Sequence, residues 1–255
     1  MNSKINPALV LLALLFGLTS CGYLFGPTEK EGINNVCYLD ISSSDTANLN
    51  LRLADMRDKL LGRLGPKDAL RVMAIDKASL TAAIPLFEVD LASQEFENPA
   101  FPPHIQGDMA DKARAAFVDS VALAFADVLR AGVASRIANN QSTDILGALR
   151  QAVHYVKPER VNRLFLFSDM LNDSEELNLD ELCKQGADFD KAMQVLPTLH
   201  LPYDDICVFT GDNSSIKPED FTKIKDSWSR YFHKHGVPIR VYTSGGISTD
   251  LAHLP

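Results

Sequence analysis

Five short, oxygen-bearing side chains stand where predicted strands or helices meet loops. Asp40, Ser42 and Ser44 form an Asp-x-Ser-x-Ser pattern at the end of an apolar run, Thr143 precedes a predicted helix, and Asp169 ends the strongest apolar run. Carboxylate and hydroxyl oxygens suit a hard cation such as Mg²⁺ or Mn²⁺. With few carboxylates, such a site keeps bound waters and an open coordination position. The pattern therefore predicts a divalent metal site if the loops converge.

Helix capping is the competing interpretation of the same residues. Side-chain oxygens of Asp, Ser and Thr commonly accept hydrogen bonds from the free N–H groups of a helix start. Ser44 or Thr46 would then cap the first helix, and Thr143 the helix near Ile145. Capping does not require both Asp40 and Asp169 at the ends of neighbouring strands, so the metal interpretation is favoured.

Apolar strands alternate with helical patterns along most of the chain. This alternation predicts an α/β fold: a doubly wound, mostly parallel sheet with helices on both faces. In such sheets, ligands bind at the carboxyl ends of the strands. The predicted strands are 36–41, 69–76, 84–91, 161–168, 206–210 and 237–242, the predicted helices are 48–64, 108–134, 145–156 and 221–233, and 95–107 is predicted to be a proline-containing loop.

The five residues, in this order and at these places, resemble the metal-ion-dependent adhesion site of the von Willebrand factor type A domain family. The resemblance covers roughly 35–242. It implies that Ser42 and Ser44 are direct ligands, Thr143 a conditional ligand, and Asp40 and Asp169 the charge-balancing acids. The open position would accept a carboxylate from a partner protein. The family commonly has Gly after the last aspartate, where this chain has Met170.

The N-terminus has the order of a secretory signal, with Lys4, an apolar core and a small-residue cleavage site. The run from Leu18 to Cys21 resembles the bacterial lipobox, which implies lipid on Cys21. We expect a signal peptide over 1–20, a lipidated cysteine and tether over 21–34, and one domain over 35–255. The protein is then anchored in the cell envelope, at the periplasmic face of the outer membrane if the organism has two membranes.

Charge and cysteines limit the partners. The formal net charge of −8 argues against nucleic acid as a partner, because its binding needs basic clusters.

Beyond Cys21 the chain has three further cysteines, Cys37, Cys183 and Cys207. A Cys183–Cys207 disulfide and three buried thiols are the two alternatives. The histidines and cysteines are not spaced as zinc ligands are, so the sequence does not predict a zinc site.

The expected function is therefore binding rather than catalysis. A lipid-anchored module would recognise an envelope protein or peptide through a carboxylate that completes the coordination of the ion. One alternative is a haloacid-dehalogenase-like phosphohydrolase, although Ser42 stands where those enzymes usually have a second aspartate. The other is a structural lipoprotein that needs no ion.

Overall fold

The computed structural model describes residues 30–42, 48–77, 79–81, 84–97, 102–137, 142–211, 216–237 and 239–248. The predicted signal peptide, Cys21, most of the tether, and Ser44 lie outside these ranges. Within them, no helix combines the length and hydropathy needed to cross a bilayer.

Six strands form one sheet with the order β3-β2-β1-β4-β5-β6. All neighbours are parallel except β2 and β3, which are antiparallel. The predicted α/β fold with a mostly parallel sheet is thus confirmed. The strands are β1 (Ile33–Asp40), β2 (Ala69–Ile75), β3 (Phe87–Asp90), β4 (Val161–Phe167), β5 (Asp205–Phe209) and β6 (Ile239–Thr243).

Helices cover both faces of the sheet. The α-helices are α1 (Leu49–Asp55), α2 (Pro103–Ile137), α3 (Ile145–Ala152), α4 (Leu179–Gln185), α5 (Phe189–Gln194) and α6 (Pro218–Lys234). A π-helical turn, Met56–Leu60, and a 3-10 turn, Leu61–Arg63, extend α1 to about the end predicted from the sequence.

Two apolar clusters, one on each face, form the core. Successive side chains of a strand point to opposite faces, so Val36 and Tyr38 of β1 belong to one cluster, with α3 and α6. Cys37 and Leu39 belong to the other, with α1 and α2. Trp228 of α6 is fully buried in the cluster that contains α3 and α6.

The prediction for 95–107 was wrong at its C-terminal end. This segment was predicted to be a loop, but α2 begins at Pro103. Proline is favoured in the first turn of a helix, where its missing N–H costs nothing.

Of the two alternatives for the cysteines, the Cys183–Cys207 disulfide is not formed. Cys37, Cys183 and Cys207 are all free thiols. Cys207 belongs to the cluster on the α1 and α2 face, whereas Cys183 packs against the cluster on the opposite face. The sheet therefore separates the two sulfur atoms.

Candidate functional site

The candidate site lies where the strand order changes direction. The chain moves outward from β1 to β2 and β3, then returns to place β4 on the other side of β1. In open α/β sheets this switch point leaves a crevice at the carboxyl ends of the two strands. Asp40 is the last residue of β1, and Ser168 and Asp169 directly follow β4.

Hydrogen bonds fix both carboxylate oxygens of Asp40. The backbone N–H of Ser42 donates to Oδ1 at 2.9 Å, and the hydroxyl of Ser168 donates to Oδ2 at 2.7 Å. Burial raises the pKa of Asp40 above its ordinary value, although these hydrogen bonds and the charge of Arg52 oppose the shift. The carboxylate is thus held in one orientation, but its hydrogen bonds and the charge of Arg52 do not fully offset the cost of removing its charge from water.

A buried guanidinium lies on the inner side of this edge. Arg52 of α1 is 4% exposed and donates to the backbone oxygens of Phe167 at 2.8 Å and Thr210 at 3.1 Å. Burial lowers its pKa to about 10, and the charges of Asp40 and Asp169 oppose this shift. Arg52 is therefore a cation that partly neutralises both acids.

A left-handed turn shapes the loop after β4. Met170 has φ +65°, in the region that glycine adopts without strain. The Asp169 carboxylate accepts a hydrogen bond from Leu171 N at 2.9 Å, and Trp228 Nε1 donates to Met170 O at 2.9 Å. Met170 thus takes a backbone conformation that favours glycine, while its buried side chain joins the core.

Thr143 is joined to this loop through the backbone. Its carbonyl oxygen accepts a hydrogen bond from Asp173 N at 2.7 Å. The N-cap of α3 is Asp144, whose carboxylate accepts from Gly147 N at 2.8 Å. The capping role considered for Thr143 therefore belongs to Asp144.

The loop after β4 also holds the start of α3 in place. The side-chain oxygen of Asn172, which is fully buried, accepts from Ile145 N at 2.8 Å and Leu146 N at 3.1 Å. These bonds satisfy two of the N–H groups that a helix start leaves free. The loop carrying Asp169 and the loop carrying Thr143 consequently form one hydrogen-bonded unit.

Four of the five predicted ligands thus lie on the loops of one sheet edge. Asp40, Ser42, Thr143 and Asp169 are each between 2% and 6% exposed. Ser44 lies outside the described residues. The described ranges contain no cluster of three or more histidine, cysteine or acidic side chains suited to a metal. Such clusters do not include serine or threonine, whereas two of the four described candidate ligands, Ser42 and Thr143, carry hydroxyl groups.

Sequence reasoning missed Arg52 and Ser168. Arg52 lies on the apolar stripe of its helix, three residues after Leu49 and four before Met56. A charge at such a position is the signal that a buried partner exists, because charged side chains are almost never fully buried unless paired. Ser168 gave no signal beyond its place between the strongest strand and Asp169.

The donor set fits a small, hard cation. It offers two carboxylates and two hydroxyls, and a carboxylate oxygen that accepts one hydrogen bond has a second lone pair for an ion. The charge of Arg52 acts on both Asp40 and Asp169. A cation held at this edge would add positive charge beside the same two acids.

Comparison with known proteins gives no family. No family model and no curated protein matches the chain. Among solved structures, the chain is similar to proximal thread matrix protein 1 of the mussel byssus, at 11% identity and a TM-score of 0.33, over 77% of this chain and 42% of that one. It is also similar to the human COPII-coat protein Sec24c, at 13% identity and a TM-score of 0.38, over 86% of this chain and 30% of that one. The chain thus spans less than half the length of either structure.

Proposed function

We propose that this protein is a binding module that holds a divalent cation, Mg²⁺ or Mn²⁺, at the edge between β1 and β4. Asp40, Ser42, Thr143 and Asp169 would hold the ion, with Ser44 from the same pattern. The ion would supply a positive charge to which a carboxylate of another protein or peptide binds. The Leu18–Cys21 motif supports lipid anchoring in the cell envelope as part of the proposal.

One observation carries the proposal: two acids at neighbouring strand ends are both buried at the switch point of the sheet, and the charge of one buried arginine acts on both. Asp40 and Asp169 are 2% and 5% exposed, and Arg52 is the positive charge that acts on both. Burying carboxylate charge is costly unless opposite charge and hydrogen bonds offset it. A divalent ion would supply such charge to both acids, which helix capping by serine and threonine hydroxyls does not do.

Burial of the ligands sets a condition on partner binding. Since all four described ligands are nearly closed to solvent, a partner carboxylate reaches the ion only when the loops at this edge move apart.

Crosslinking in the native envelope tests partner binding. The proposal predicts a crosslinked species that disappears when a chelator is added and returns with Mg²⁺. The same treatment of an Asp169→Ala variant should give no such species, and Asp127→Ala, at an exposed helical position, serves as the control. A species unaffected by chelator would contradict a metal-bridged contact.

A second candidate is a structural domain in which Arg52 replaces the ion. The supporting observation is that the guanidinium already donates two hydrogen bonds at this edge and compensates part of the charge of Asp40 and Asp169. A ligand that binds only the folded state raises its stability by RT ln(1 + [L]/Kd). A midpoint of thermal unfolding that is the same in chelator and in excess Mg²⁺ would favour this candidate.

A further inference from the structure

The long helix α2 extends beyond the sheet that it packs against. Its 35 residues span about 52 Å at 1.5 Å per residue, whereas a strand of eight residues spans about 26 Å. Val118, Phe125, Leu129 and Val133 are buried against the sheet. From Ile105 to Phe117, all of which the structure describes, no side chain is buried.

The outward face of α2 is apolar. Ile105, Met109 and Leu123 are 39%, 42% and 85% exposed, and Leu123 is the most exposed large apolar side chain in the described ranges. At about 100° per residue, these three and Ala116 lie within about 40° of one another around the helix, on the side roughly opposite Phe125. A helix that is apolar on two faces is normally covered on both.

The charges beside this face indicate what covers it. The described ion pairs of α2 join Arg114 to Asp111, Arg130 to Asp127, and Arg136 to Asp76. Lys112 and Asp119, which flank the apolar stripe on the same side, form no ion pair with another described residue. Lysine and arginine balance the acids over the whole helix, four against four, so α2 lacks the basic excess of a helix that binds an anionic membrane surface.

We propose that the outward face of α2 packs antiparallel against the same face of a second copy of this chain. In a two-fold pair centred on Ala116, Met109 of each copy lies opposite Leu123 of the other. Lys112 of each copy then lies within about one residue rise, 1.5 Å along the axis, of Asp119 of the other, because the same flanks meet in an antiparallel pair. The pairing is isologous, so the ion pair between Lys112 of one copy and Asp119 of the other forms twice.

The geometry leaves room for the two domains and for close approach of the helices. The sheets lie on opposite sides of the helix pair, since the stripe faces away from the residues that pack on the sheet. The small Ala116 at the centre allows the helix axes to come within about 8–10 Å. At the upper end of this separation, about 9–10 Å, facing Cα atoms are about 4.4–5.4 Å apart, which is within the range for a disulfide.

Single cysteines in the full chain test this pairing in the native envelope. Ala116→Cys should give a disulfide-linked dimer on a non-reducing gel. Ala115→Cys, which is exposed on the neighbouring flank, should not. Met109→Cys should crosslink only when it is expressed together with a differently tagged Leu123→Cys chain, because an antiparallel pair never brings two Met109 positions together. Adding Leu123→Asp to Ala116→Cys should reduce the dimer about tenfold.

Charge reversal provides a second readout that is insensitive to packing. Asp119→Lys should reduce the Ala116→Cys crosslink, and the double variant Lys112→Asp with Asp119→Lys should restore it, because both ion pairs form again with reversed polarity. A monomeric Ala116→Cys chain, or a Met109→Cys chain that crosslinks alone, would overturn the antiparallel pair. The result is independent of any ion at the edge between β1 and β4.

Discussion

The hydroxyl of Ser168 donates a 2.7 Å hydrogen bond to Oδ2 of Asp40, which joins the loop after β4 to the end of β1. Ser168 is fully buried, and its oxygen also accepts a hydrogen bond from Met170 N at 3.0 Å. One side chain therefore orients the first acid of the candidate site and positions the turn that carries the second.

We expect Ser168→Ala to destabilise the protein by about 2 kcal/mol, because the carboxylate of Asp40 and the N–H of Met170 each lose a buried partner. Ser135→Ala is the control, since its exposed hydroxyl bonds only within its own helix. Urea unfolding monitored by circular dichroism measures both variants. Equal stability of the two would show that the Ser168 hydrogen bonds contribute nothing.

Arg52→Met should have opposite effects on the apo protein and on ion binding. Removing the buried guanidinium removes a positive charge that acts on both Asp40 and Asp169, so the free energy of unfolding in chelator should fall by about 3 kcal/mol. The affinity for Mg²⁺ should rise at least about tenfold, because a repelling positive charge has gone. Unfolding at several Mg²⁺ concentrations measures both effects.

The control for Arg52→Met is Arg130→Met, which removes an exposed arginine of α2 bound to Asp127 and Asn50. This variant should change stability by less than about 1 kcal/mol and leave ion affinity unaltered. An Arg52→Met protein that binds Mg²⁺ no better than the native chain would argue against a charge shared by guanidinium and ion.

The left-handed conformation of Met170 predicts an unusual order of stability. Met170→Gly and Met170→Ala should both be about 2–4 kcal/mol less stable than the native protein, because each leaves a cavity in the core. Glycine should nevertheless be more stable than alanine by about 1 kcal/mol, since only glycine adopts φ +65° without strain.

Met73 of β2 provides the matched pair for this comparison, because it is also fully buried but has ordinary strand geometry. There, alanine should be more stable than glycine. Thermal unfolding of the four variants decides the point. The same order at both positions would contradict a strained backbone at Met170.

The ion pairs of Asp90 predict a loss of stability in acid. Burial raises the pKa of Asp90, but hydrogen bonds and charges from Lys157 and Arg160 outweigh this and hold the pKa below its ordinary value. The unfolded chain then binds more protons than the folded one. The stabilisation is therefore present above the ordinary carboxyl pKa and disappears as the pH falls through the lowered pKa of the folded state.

Asp90→Asn should accordingly cost about 1 kcal/mol at neutral pH and almost nothing in strong acid. Denaturant unfolding at a series of pH values measures this difference, with the exposed Asp127→Asn as control. A difference between native and Asp90→Asn protein that does not change with pH would contradict the ion-pair account.

The sequence was sufficient to predict the sheet because its strands are buried on both faces. Runs such as Leu164–Phe167 of β4 are continuously apolar, a pattern typical of central parallel strands. The start of α2 was missed because Pro99, Pro102 and Pro103 together indicate a loop, although a proline is also a favourable first residue of a helix. The short helices α4 and α5 have too few turns to give a clear period.

The site was only partly predictable for a different reason. Asp40, Ser42, Thr143 and Asp169 stand at the ends of predicted elements, so their placement at one edge follows from parallel topology. The contribution of Arg52 depends on which residues its guanidinium meets across the fold, 115 and 158 positions further along the chain. The φ of Met170 likewise depends on tertiary packing that local sequence preference does not encode.

Calorimetric titration of the protein with Mg²⁺ and Mn²⁺ is the most direct measurement of whether a cation binds between β1 and β4. We predict a saturable one-site heat for the native protein, the same heat for Asp127→Ala, and no specific heat for Asp40→Ala. Indistinguishable titrations of the native and Asp40→Ala chains would contradict the metal site.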